Sequence, residues 1–115
     1  MVVSATQYSK KDFSRDAIQR FGPLCEELIE CAELLHPQMS CLARTCLEQK
    51  IHALPILLFL EHILRMPDFD REIENAVAIS FIEWPTLQRL KLDGPIPPRV
   101  EHVVRHQFET YGCNA

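Results

Sequence analysis

The stretch Pro55–Trp84, PILLFLEHILRMPDFDREIENAVAISFIEW, decides the fold. It reads as two helices joined by the turn Met66-Pro67-Asp68-Phe69-Asp70. The first helix, Ile56 to Met66, carries Ile56, Leu57, Leu58, Phe59, Leu60, Ile63 and Leu64, so apolar side chains cover most of its circumference. A helix of that kind has to be buried. Glu61, His62 and Arg65 fall in one sector at 100° per residue and leave a single wettable edge. The second helix, Arg71 to Trp84, places Ile73, Val77, Phe81 and Trp84 on one face and Ala78, Ile79 and Ile82 on the other, so it is expected to pack on two sides. Asp70 is positioned as its N-cap, which is a simpler account of the acid-rich turn than a calcium loop, because the alternating oxygens and glycine of an EF-hand are missing.

Outward from this hairpin the same helical period continues. Ser9-Lys10-Lys11-Asp12 starts a helix in which Phe13, Ala17 and Phe21 recur every four residues. Gly22-Pro23 is read as its left-handed cap and as the opening of the next helix. From Leu24 to Leu35 the apolar set Leu24, Leu28, Cys31 and Leu35 lies opposite Glu26, Glu27, Glu30 and Glu33. His36-Pro37 is expected to break that helix, since a residue before proline is pushed out of the helical region. A third helix then runs to about His52, with Met39, Leu42, Ala43, Cys46, Leu47 and Ile51 inward. Leu87, Leu90 and Leu92 suggest a short helix ending at Asp93-Gly94, and Pro95-Ile96-Pro97-Pro98 an extended connector. Arg99 to Tyr111 forms the last helix, with Val100, Val103, Val104, Phe108 and Tyr111 on one stripe and Gly112 as its cap.

No segment alternates at period two, so the expected class is all-α, an irregular bundle or short stack of about seven helices. With 115 residues there is room for one core. The expected organisation is a flexible N-terminus over residues 1–8 and a single helical domain over 9–115. The longest apolar run, Leu54 to Leu60, is far short of the roughly 20 residues a membrane span needs. Without a secretory signal pattern at the N-terminus, the expected location is the cytoplasm and no membrane partner is expected.

Chemistry is sparse. Cys25, Cys31, Cys41, Cys46 and Cys113 match no zinc or redox spacing, and Cys25 and Cys31 would lie well over 90° apart on one helix. Reduced and mostly buried thiols are expected, with Cys113 exposed. His102, His106 and Glu109 have the i, i+4, i+7 spacing of a metal-binding face, but lie opposite the apolar stripe on a solvated side; no metal is assigned. Three glycines, Gly22, Gly94 and Gly112, make no phosphate-cradling loop. No nucleophile stands with a base and a third group that orients it. The residues therefore give no catalytic assignment and no cofactor.

Charge is distributed more informatively. Residues 24–36 hold four glutamates and no Lys or Arg, and residues 67–83 hold five acids against Arg71, while the rest of the chain is net positive. Locally acidic faces disfavour direct nucleic-acid contact and suit a basic protein partner.

Ile56-Leu57-Leu58-Phe59-Leu60-Glu61, the acidic turn, and Glu74-Asn75-Ala76-Val77-Ala78-Ile79-Ser80-Phe81-Ile82-Glu83 together resemble small helical proteins encoded beside polymorphic or contact-dependent bacterial toxins. The chain departs from that pattern at Pro67 and Phe69 and at Trp84-Pro85. The resemblance implies an immunity protein, a stoichiometric inhibitor that binds a cognate toxin domain, often a basic nuclease, and occludes its active site without catalysis of its own. On that reading Glu26, Glu27, Glu30, Glu33, Asp68, Asp70, Glu72 and Glu74 contribute to the toxin-facing surface, while Glu61 and Glu83 match family positions and close polar bonds between helices. A small regulatory or adaptor protein of phage or plasmid type, acting through protein contacts, is the alternative.

Overall fold

The computed structural model describes residues 7–81, 94–107 and 109. Its regular structure is helical: α1 (Lys10–Phe21), α2 (Glu26–Glu30), α3 (Leu35–Glu48), α4 (Ala53–Leu64), α5 (Arg71–Ser80) and α6 (Pro98–Gln107), with 3₁₀ turns at Gly22–Leu24 and Lys50–His52. The helix expected around Leu87 to Leu92 lies outside the described residues, as do Ile82, Glu83, Trp84, Phe108, Tyr111 and Gly112. Among the described residues no β-strand forms.

The helix starts follow local chemistry. Ser9 and Asp12 form a reciprocal capping box, the Asp12 N–H donating to Ser9 Oγ at 3.2 Å and the Ser9 N–H to Asp12 Oδ2 at 2.9 Å. Asp70 caps α5 by accepting from the Glu72 N–H at 2.9 Å. Between α4 and α5 the chain end is tied down: Tyr8 donates to the Asp68 carbonyl and accepts from the Asp70 N–H, forming a single parallel bridge with Phe69. Tyr8 thus belongs to the folded part, although it closes the segment read as a flexible N-terminus.

Burial follows the organising stretch except at Leu58 and at Ile79, which was expected on a second packed face of α5 and is 48 % exposed. Ile56, Leu57, Phe59, Leu60, Ile63 and Leu64 of α4 are buried, as are Ile73, Ala76 and Val77 of α5. Phe59 meets Phe21 edge-on at 5.4 Å between ring centroids and Phe13 at 6.0 Å. Helix α5 packs on both α3 and α6, α6 also on α4, and α3 additionally on α1, α2 and α4. Each buried Leu or Ile of this core contributes about 1.5–3 kcal/mol over leaving it in water.

Four expectations are corrected. The helix read from Leu24 to Leu35 is cut to α2, because the chain reverses at Cys31–Glu33 with Glu33 in the left-handed region at φ 66°. His36-Pro37 does not end a helix but lies in the first turn of α3, where the missing proline N–H is one of the donors that a helix start leaves without an acceptor. Gly22 is right-handed, φ −52° and ψ −42°, so it continues the chain into the 3₁₀ turn and is no left-handed cap. Ile51, expected inward, is 76 % exposed because α3 ends at Glu48 and Ile51 falls in a separate turn. The wet edge of α4 also differs in detail: Leu58 is 52 % exposed, whereas Glu61 is only 6 % exposed.

Glu61 is buried with both carboxylate oxygens hydrogen-bonded. Its Oε1 accepts from the Arg99 N–H at 2.9 Å and the Val100 N–H at 3.0 Å, both in the first turn of α6. Its Oε2 accepts from Arg65 Nε at 2.6 Å. A carboxylate on α4 therefore supplies the anionic cap that α6 lacks in its own sequence, where Pro97 precedes Pro98.

Candidate functional site

The first acidic group is presented by α2 and the turn after it. Glu26, Glu27, Glu30 and Glu33 are all exposed, while Leu28 between them is fully buried against the core. Ile29 and Leu34 are 56 % and 55 % exposed. Two large apolar side chains thus stand among the acids, one within α2 and one just beyond Glu33. Glu26 and Glu30 have no cation partner among the described residues. Glu27 does: both its carboxylate oxygens accept from Arg44 of α3, at 2.9 and 2.7 Å, and this guanidinium holds the Glu27 carboxyl below its ordinary value. Glu33 is fixed through its backbone, its N–H donating to the buried Ser14 Oγ at 2.8 Å. Gln38 of α3, also buried, donates to the Leu28 carbonyl at 2.8 Å and so pins the last turn of α2.

Cys25, the residue before α2, faces Cys41 of α3, their Cα atoms 7.0 Å apart. Helical spacing compares cysteines within one helix, and the facing residue here comes from the next helix. Cys46 remains a free buried thiol, and burial pushes it up to about 12. Cys31 is free and half-buried.

The second acidic group is more heavily committed. Asp70 is the α5 cap and faces Lys10 at 3.9 Å. Glu72 contacts His36 Nε2 at 3.1 Å and accepts from Asn75 at 3.2 Å; these two contacts, Asn75 first, hold its carboxyl below its ordinary value. Asp68 accepts from the Gln7 amide at 3.3 Å. Glu74 lines a groove of about 250 Å³ with Arg71, Asn75, His102 and His106. Of the eight acids, Glu33 and Glu72 are brought together on a shallow groove of about 610 Å³, but Lys10, Lys11 and His36 line it with them. The acids therefore do not merge into one uninterrupted anionic face, because bases distant in sequence are interleaved with them.

His102 and His106 lie on the exposed side of α6 with their rings stacked, centroids 6.4 Å apart. Among the described residues no three His, Cys, Asp or Glu side chains converge on a point where a metal would sit. A further groove of about 590 Å³ runs between α1 and α4, floored by Phe21, Phe59, Ile63 and Met66 and edged by Asp16, Arg20, Leu58 and His62. At its end the Tyr8 hydroxyl donates to Asp16 Oδ2 at 2.7 Å; burial, then that bond, raise the Tyr8 pKa, while Arg15 and Tyr8 hold Asp16 low. The exposed Leu58 on an otherwise apolar helix marks this groove, but periodicity alone gave no reason to separate it from the buried face.

No helix among the described residues is long and apolar enough to cross a membrane. No known protein family, curated protein or solved structure matches the chain.

Proposed function

We propose that this chain is an immunity protein: an all-helical, irregular bundle that binds a cognate toxin domain in the cytoplasm and neutralises it by covering its active site. The observation that carries the reading is the α2 surface, where Glu26 and Glu30, without cation partners among the described residues, stand beside the exposed Ile29 and the following Leu34. Apolar side chains surrounded by charge have the composition of an interface centre and rim, and the acids would steer a basic partner toward it. A basic nuclease domain is one class of partner with the complementary charge. Glu27 and Glu72 contribute less to this attraction than Glu26 and Glu30, because Arg44 and His36 already face them. Glu33, Asp68, Asp70 and Glu74 form the margin of the same proposed contact.

The test is co-expression with the protein encoded in the neighbouring upstream reading frame. The expected result is a stoichiometric complex that co-purifies and abolishes that protein's toxicity. A neighbouring product that is toxic in the presence and absence of this chain alike would end the proposal.

A further inference from the structure

We propose that His102 and His106 form a surface site for a divalent transition-metal ion of the zinc type, held by two imidazoles with water in the remaining positions. The inference does not depend on the function proposed above. To the spacing of the two residues the structure adds the helix itself: α6 runs Pro98–Gln107 and covers both, and residues four apart on a helix are neighbours on one face. Val100 and Val104, both buried, hold the other side of α6 against the core, and both histidines are exposed. Their rings lie side by side, 17° from parallel, with centroids 6.4 Å apart. Neither imidazole makes a hydrogen bond or an ion pair with a described residue, whereas His36 is held by Glu72. Arg105, next to His106, is paired with Glu101 at 3.5 Å. Both imidazoles are therefore free to turn a nitrogen lone pair toward one ion.

An imidazole nitrogen binds zinc at about 2.0–2.1 Å, so two rings on one ion at a tetrahedral angle have centroids about 5 Å apart. Rotation about the side-chain bonds of two exposed residues closes the difference of roughly 1 Å without moving the backbone. Imidazole suits zinc, copper and nickel, while magnesium and calcium take oxygen ligands. The surroundings are compatible with a cation. Both histidines line the groove of about 250 Å³ with Glu74, which supplies negative charge, and with the polar Asn75 and Gln107. At about 30 Å³ for each water, that groove has room for an ion and several waters. Arg71 also lines it and opposes the ion's charge, but its guanidinium is stacked on the Phe69 ring, 4.3 Å from the centroid, and Glu74 offsets it. Among the described residues no third ligand converges, so the site is open and exchangeable, unlike a closed structural site with four protein ligands. Chelation across one turn ties the later part of α6, whose start is capped by Glu61.

The experiment titrates the full chain, without an affinity tag and kept reduced by a phosphine, with zinc chloride, and follows the imidazole nitrogen signals of all five histidines by NMR. This readout separates histidine binding from any zinc taken up by cysteines. The His102 and His106 signals are expected to move together along one saturation curve, while those of His36, His52 and His62 stay in place. Magnesium chloride at the same concentrations is expected to move none of them. In H102A and in H106A the remaining imidazole should need roughly tenfold more zinc or more, because the second ring on the same helix acts at a high effective concentration. Unchanged far-UV circular dichroism verifies that both variants fold, as substitution of exposed side chains allows. His102 and His106 saturating at different zinc concentrations, or either ring binding as tightly after the other is removed, would overturn the inference. So would zinc that leaves both signals unmoved.

Discussion

Replacing Glu61 by alanine tests how the last helix is held. The carboxylate accepts two backbone N–H groups of α6, from Arg99 and Val100, and the Nε–H of Arg65, from a position only 6 % exposed. Arg65 itself is more than half exposed, so water takes over its lost bond at little cost. The two N–H groups differ: Val100 is fully buried and has no alternative acceptor in its own helix, since it lies in the first turn. Leaving a buried donor unpaired costs about 1–3 kcal/mol. With one donor strictly buried and the other partly so, E61A should lose about 2–4 kcal/mol, which at a urea slope of about 2 kcal/mol/M moves the unfolding midpoint by roughly 1–2 M. E61Q keeps the length and one oxygen acceptor, but turns an N–H toward Arg65, and should lie between E61A and the parent. R65A should lose less than about 1 kcal/mol. Equilibrium urea unfolding followed by far-UV circular dichroism reads all three. An E61A midpoint within experimental error of the parent, or an R65A loss as large as that of E61A, would refute the argument that the carboxylate acts as the cap of α6.

Further outcomes follow from the same structure. Glu33 sits at φ 66°, which costs a non-glycine residue roughly 1–2 kcal/mol, so E33G should raise stability by about 1 kcal/mol once glycine's greater freedom in the unfolded chain is set against it; a destabilised E33G would contradict the left-handed turn. Asp12, held low chiefly by the Ser9 N–H, and Asp16, held low chiefly by Arg15, have folded pKa values below their unfolded ones. Their stabilisation is therefore present above about pH 4 and lost as pH falls through the folded values, so D12N should show a shallower acid-side loss of stability than the parent when urea midpoints are compared at pH 7 and pH 3.

The sequence carried the helical class, the capping residues Ser9 and Asp70, and the burial of Phe13, Leu57 and Val77, because all of these depend on spacing within one element. What it did not carry depends on residues far apart in the chain. Glu61 looked like part of a wet edge until α6 brought Arg99 and Val100 to it, 38 and 39 positions away. The eight acids looked like two clean anionic runs until Arg44 met Glu27, His36 met Glu72 and Lys10 met Asp70. Cys25 came to face Cys41 of another helix for the same reason. Helix boundaries misled where a local rule had an exception: Pro37 forbids a helix interior but not a first turn, and the stop before it is a left-handed glutamate where glycine or asparagine would have been the recognisable signal. A strong amphipathic pattern from Leu24 to Leu35 concealed that reversal.

The most direct measurement of the central claim is the salt dependence of the affinity between this chain and the product of the adjacent reading frame, for the parent and for E26K/E30K. If the α2 surface meets a basic toxin domain, the parent binds in a 1:1 complex, and the double charge reversal weakens it by at least tenfold at 50 mM salt and by much less at 500 mM, where exposed charges are screened. A parent complex whose affinity is unchanged by E26K/E30K at low salt would remove α2 from the interface, and no complex at either salt would contradict the account.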